Sequence, residues 1–153
     1  MSHAEQFAQQ WKAQRDVLEG VLASIPDGQE GFKPWEGAMS LGELALHAGT
    51  SAKFFAQIAA TGEFARPTVE ATSMAEIRQA VHELTEQTMA LLVSISDERW
   101  AQSVDMTPVL GRAVEVSGML YGMRDHEIHH KGQLFVYARM AGAKDLPMFT
   151  KFA

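Results

Sequence analysis

The chain has 153 residues, 46% of them hydrophobic, and a formal net charge of −6. That length and apolar content suit one folded domain, 1–153, with a core, and exclude a disordered chain. The acidic balance, with no lysine or arginine cluster, argues against nucleic-acid binding, which needs a basic patch facing the phosphates.

Cysteine is absent. The fold therefore has no disulfide, no thiolate metal ligand and no cysteine nucleophile of its own. The N-terminus "MSHAEQFAQQ" lacks the basic start and apolar run of a signal peptide. No apolar stretch approaches the ~18 residues of a membrane span. The expectation is a cytoplasmic protein with no membrane partner.

Four helical patterns follow one another. The first runs from about Ser2 to Ile25, with Phe7, Trp11, Leu18, Leu22 and Ile25 on one face. The second runs from Ser40 to about Ala59, with Leu44, His47, Ser51, Phe55 and Ile58 on one stripe. The third, from Ser73 to about Ile95, alternates three and four through Met74, Ile77, Val81, Leu84, Thr88, Leu91 and Ile95. The fourth runs from about Ser117 to Ala141. Each recurs near the 3.6-residue period that turns one face to a core.

Local signals mark the ends. "SHAE", "SLGE" and "SMAE" are each Ser-x-x-Glu, the pattern of a capping box. Gly142 suits the end of the fourth helix, since glycine takes the left-handed conformation cheaply. "SDERW" fits a short helical turn. Ser103 to Val116, with Pro108 and Gly111 among β-branched residues, fits an extended excursion or weak hairpin. The fold class is all-α: a four-helix bundle with a long, partly extended connection between helices three and four.

Three of the six histidines fall in "DHEIHHKGQL", residues 125–134. His126 and His130 are four apart and share a helix face with Met119, Met123, Leu134 and Tyr137. Imidazoles on a core stripe are costly unless paired or bound to something. His47 lies on the core stripe of helix two, so three histidines from two helices can converge. Neutral imidazole is the commonest metal-binding side chain, and i,i+4 pairs suit one ion. Three nitrogens leave a position open, as in a catalytic site. His3 is terminal and His82 lies one step off its core stripe, so both are expected at the surface. Glu127-x-x-His130 has di-iron spacing, but Glu43 and His47, the other candidate pair, are four apart and not three. Nor does a core stripe of helix one or three carry a glutamate, so that reading is set aside.

"FKPWEGAMSLGELALHAG" and "DHEIHHKGQLFVYARMAG" together resemble the DinB-like family: a loop and second helix ending in a ligand histidine, then a fourth-helix H-x-x-H-H-[RK]-G-Q signature. The resemblance spans nearly the whole chain. It implies a divalent metal held by His47, His126 and His130; an all-imidazole site suits zinc or nickel first and iron, cobalt or manganese next. His129 matches a family residue that is not usually a ligand. Family members of known activity resemble S-transferases and isomerases that use a small thiol such as bacillithiol, mycothiol or glutathione.

The expected activity is transfer of such a thiol to a small electrophilic substrate, with metal-assisted hydrolysis as a variant. Glu127 and His129 flank the site as candidates for acid–base work. The rival reading is a non-catalytic binding or stress-response bundle with a structural metal. Tyr121, Ile128 and Phe135 form a second apolar row on helix four, seven apart. That row calls for a homodimer contact, or for a cover made by the Ser103–Val116 excursion or the C-terminal "DLPMFTKFA".

Overall fold

A computed structural model describes residues 1–152. The elements run α1 (His3–Ser24), α2 (Leu41–Thr61), α3 (Met74–Val93), α4 (Asp97–Trp100), β1 (Ser103–Asp105), α5 (Thr107–Leu110), β2 (Ala113–Glu115) and α6 (Val116–Met140). The four long helices are those expected from the periodicity, each within one or two residues at both ends. Helices α1 and α2 each pack against both α3 and α6, so the four surround a common interior.

Two of the three capping boxes close fully. Ser2 Oγ accepts from the Glu5 N–H at 3.1 Å, and the Ser2 N–H donates to the Glu5 carboxylate at 2.7 Å. Ser40 and Glu43 repeat this at 3.1 and 2.9 Å. Ser73 differs. Its hydroxyl accepts from the Glu76 N–H, but Glu76 returns to that hydroxyl at 3.2 Å and not to the backbone. The Ser73 φ of −116°, against −67° at Ser40, turns its N–H differently. Ser40→Ala is expected to cost about 1 kcal/mol of stability, read as a lower urea midpoint with unchanged slope. No change would mean that water replaces the cap at no cost.

The segment before α6 is the weak hairpin. β1 pairs antiparallel with β2, Ser103 opposite Glu115, and the single turn α5 joins them. Met106, between β1 and α5, is fully buried and ties the excursion to the core. At the far end of α6, Gly142 takes φ +99°, the left-handed conformation that turns the chain off the helix.

The interior has two apolar clusters. One gathers Leu18, Leu22, Leu41, Leu44, Val81 and Leu134. The other gathers Phe7, Trp11, Phe54, Ile58, Leu92 and Met123. Between them along the helices lie the buried polar residues Arg15, Thr85, Thr88 and Glu127. In chain order Arg15 separates Trp11 from Leu18, and Glu127 separates Met123 from Leu134. A polar layer therefore crosses the middle of the helical core.

The second apolar row of α6 is not one exposed stripe. Phe135 is buried within the chain's own core. Tyr121 is 43% exposed and meets Phe7 and Trp100 edge-on, while Ile128 is 39% exposed. The C-terminal segment does fold back. Lys131 Nζ donates to the Phe149 carbonyl, Gln14 Nε2 to Thr150 Oγ1 at 3.2 Å, and Lys151 pairs with Asp16 at 3.1 Å. Among the described residues no helix is long and apolar enough to cross a membrane.

Candidate metal centre

His47 lies on α2, two turns past the Ser40 cap. His126 and His130 lie one turn apart on α6, the helix packed against α2. The two helices bring the three rings together. His126 Nε2 is 3.2 Å from His47 Nε2 and 3.0 Å from His130 Nε2. The ring centroids of His47 lie 5.0 and 4.7 Å from those of His126 and His130. This is the one cluster of three metal-competent side chains among the described residues.

The spacing fits a single ion. Nitrogens bound at the usual 2.0–2.1 Å to a tetrahedral ion lie about 3.3 Å apart. Hydrogen bonding among the rings explains the cluster less well. His130 Nδ1 faces Gln133 Oε1 at 2.8 Å, which places the proton on Nδ1 and leaves Nε2 a lone pair aimed at its neighbours. His126 Nε2 then faces two ring nitrogens and can donate to only one of them. A cation accepts all three lone pairs at once.

Electrostatics prepare the rings. Burial, then the neighbouring His130, His47 and His129, push His126 down to about 4. Burial first, then His130 and Arg66, lower His47. Both rings are therefore neutral at pH 7, the state a metal ligand requires.

The two residues expected to flank the centre behave differently. His129 is solvent-exposed; its ring lies 4.8 Å from that of His130, but it brings no nitrogen into the cluster. Glu127 turns inward and is only 1% exposed. Both its oxygens accept from Arg15, from Nε and Nη2, at 2.7 Å each. Its carboxylate is engaged inside the core, away from solvent. His3 and His82 are at the surface, paired with Asp97 and Glu19 at 2.9 Å each.

Arg15 is the residue that the periodicity passed over. It is fully buried, its guanidinium 4.6 Å from the centre of the Trp11 ring. Its signal was present: position 15 falls between Trp11 and Leu18 at spacings of four and three, on the core stripe. Lys131, also buried, falls between Ile128 and Phe135 at spacings of three and four, on the second row of α6.

A cleft of about 580 Å³ adjoins His126. Phe55 of α2, Val114 of the hairpin, and Met119 and Met123 of α6 give it apolar walls, and Arg112 and Glu115 add one charge of each sign.

A helical core with a polar middle layer and a histidine triad between its second and last helices defines the class. The DinB family model matches residues 1–152, and the chain belongs to the DinB family. The chain is 31% identical over 153 residues to the uncharacterized protein YjoA of Bacillus subtilis (strain 168), covering 99% of both. The crystal structure of that DinB-like protein superposes with a TM-score of 0.84 at 30% identity, over 95% of this chain and 98% of that one. A DinB-like protein from Bacillus cereus ATCC 10987 shares the fold at TM-score 0.78 and 24% identity, over 93% and 94% of the two chains. A mutant of the mycothiol-dependent maleylpyruvate isomerase shares it at TM-score 0.67 and 16% identity, over 94% of this chain and 64% of that one.

Proposed function

We infer that this chain is a single-domain, metal-dependent enzyme built as a four-helix bundle, which transfers a low-molecular-weight thiol to a small electrophilic substrate. The observation that carries this reading is the approach of His126 Nε2 to the Nε2 atoms of His47 and His130 at the separation one ion requires, with the three ligand nitrogens within 4.8 Å of one another. A divalent ion held by three neutral imidazoles, zinc or nickel first, keeps a position for exchange and lowers the pKa of a thiol or water bound there.

The chain's own residues supply the rest. His47, His126 and His130 hold the ion, and Gln133 fixes the tautomer of His130. Phe55, Met119 and Met123 line the adjoining cleft, where they shield the reacting atoms from water and accept the apolar part of a substrate. Cysteine is absent, so the thiol comes as a cosubstrate. The mycothiol-dependent isomerase that shares the fold supports that class of thiol. A homodimer remains part of the proposal, now resting on Tyr121 and Ile128 alone; sedimentation of Ile128→Glu against wild type tests it.

The decisive experiment is elemental analysis of protein purified without an affinity tag, followed by titration with a small thiol. One divalent metal per chain is expected, with a change in its spectrum (cobalt-substituted protein suffices) when thiol is added. His47→Ala should lose most of the metal and stay helical, and His82→Ala should keep it. Full retention in His47→Ala would remove the triad. Metal that ignores both thiol and azide would favour a structural ion in a non-catalytic bundle.

A further inference from the structure

We propose that the buried Arg15–Glu127 pair is the positioning device of the histidine centre, setting the rotation and spacing of α2 and α6 so that the three imidazoles meet. This rests on the metal-site reading above. The guanidinium of Arg15 touches every long helix. It belongs to α1, binds both oxygens of Glu127 on α6 at 2.7 Å, donates from Nη1 to Thr85 Oγ1 on α3 at 3.1 Å, and donates from Nη2 to the Ala48 carbonyl on α2 at 3.3 Å.

The attachment points matter more than their number. Ala48 follows His47 directly, and Glu127 follows His126 directly. The two helices that carry the ligands are therefore clamped from the core side at the level of the ligands themselves. A bidentate pair of a planar guanidinium and a carboxylate has one good relative orientation. It resists rotation of α6 about its own axis. A rotation of about 20° would swing a side-chain tip about 5 Å from the axis through roughly 2 Å. Metal–ligand distances tolerate only about 0.2 Å. The contact between α2 and α3 is also close, since Gly49 leaves room where an added Cβ would sit 3.0 Å from Leu84 Cδ1. Little slack remains for α2 to find its place without the clamp.

Stability alone accounts poorly for the pair, because well-packed apolar residues commonly replace a buried ion pair at no loss. Two other arginines offer an internal comparison. Arg78 donates to the Leu22 and Ile25 carbonyls at the end of α1, and Arg99 to the Ile58 and Ala59 carbonyls at the end of α2. Both tie elements together far along the chain from the histidines, and neither contacts a residue next to a ligand.

The test compares zinc affinity with metal-free stability in four proteins: wild type, Arg15→Met/Glu127→Leu, Glu127→Gln and Arg78→Met. The double variant is expected to unfold near the wild-type midpoint while binding zinc at least about 10-fold more weakly, the lower end of the loss when a ligand's own hydrogen-bond partner is removed. Arg78→Met should lose stability and keep its zinc affinity, which a general loosening of the fold would not allow. Glu127→Gln keeps the shape of the side chain and an acceptor oxygen for Arg15, so it loosens the pair without opening a cavity. It should bind zinc more weakly and shift the absorption of the cobalt-substituted site. Wild-type affinity in the folded double variant, or unchanged affinity and spectrum in Glu127→Gln, overturns the proposal. A wild type that binds no metal overturns it too, but by removing the metal site itself, and that result is distinct from a wild type and variants that bind equally.

Discussion

Arg15→Met should cost the metal-free protein about 3–5 kcal/mol, the penalty for breaking a buried ion pair from one side. The loss is large because the partner stays behind. Glu127 is 1% exposed and both its oxygens point at the guanidinium. Without it, the buried carboxylate loses both its hydrogen bonds and keeps only the more distant charge of Lys131. Thr85 suffers less, since its hydroxyl also donates to the Val81 carbonyl at 2.9 Å. Methionine covers part of the volume beside Trp11, so the cavity contribution is small. Against the 5–15 kcal/mol typical of a domain, this is a large share of the whole. Adding Glu127→Leu to Arg15→Met should recover most of it, because the stranded charge is then gone. Urea unfolding of the two single variants and the double gives the coupling directly. A loss below about 1 kcal/mol in Arg15→Met would mean that water already reaches the pair.

The long helices were readable because their signals are local and periodic. Ser-x-x-Glu starts and three-four apolar spacing need only neighbours on the same helix. The histidine triad was readable for the same reason, since His126 and His130 share a face and His47 sits on a core stripe of its own helix. The clamp beneath it was not. A periodic reading takes charged residues as outward, so Arg15 was passed over on a stripe that otherwise held Trp11 and Leu18. Glu127 lies about 100° around α6 from His126. That step turns it into the core.

The underlying reason is the width of the buried arc on α6. That helix packs against both α1 and α2, so His126 and His130 lie toward one neighbour while Lys131 and Phe135 are buried on another side. One stripe is too narrow a description of α6, and Phe135, which the second row offers either to a partner copy or to a cover from the same chain, is buried in the chain's own core. The C-terminal return is one of the covers that the second apolar row of α6 leaves open, but periodicity does not show its contacts. It is held by a backbone carbonyl of Phe149 on Lys131 and by Thr150 on Gln14, contacts between distant positions with no repeating pattern. The hairpin was legible only in outline, since turn residues suggest an excursion but not the Ser103–Glu115 register.

His126→Ala should move metal affinity and acid stability in opposite directions. His126 is the ring whose Nε2 approaches both others, at 3.2 and 3.0 Å. Removing it leaves two imidazoles on different helices with nothing between them. Zinc affinity at pH 7.5 should therefore fall by more than the roughly 10–100-fold that loss of an outer-shell group costs. The same ring burdens the metal-free fold in acid. Its folded-state pKa is pushed down to about 4, by burial first and by its histidine neighbours next, from an ordinary value of 6.5. As pH falls through 6.5 the unfolded chain gains a proton there, and the folded chain does not until about pH 4. Across that window the unfolded state holds more protons, so metal-free stability declines with falling pH. His47, also lowered, adds to the decline. His126→Ala removes the larger contribution. Between pH 7.5 and pH 5 the urea midpoint of the metal-free variant should drop less than that of the metal-free wild type. His129→Ala, at an exposed ring outside the cluster, should keep its zinc. Zinc affinity within tenfold of wild type in His126→Ala would remove that ring from the ligand set. Equal midpoint drops in the two metal-free proteins would show that the ring protonates as freely in the folded chain as in the unfolded one.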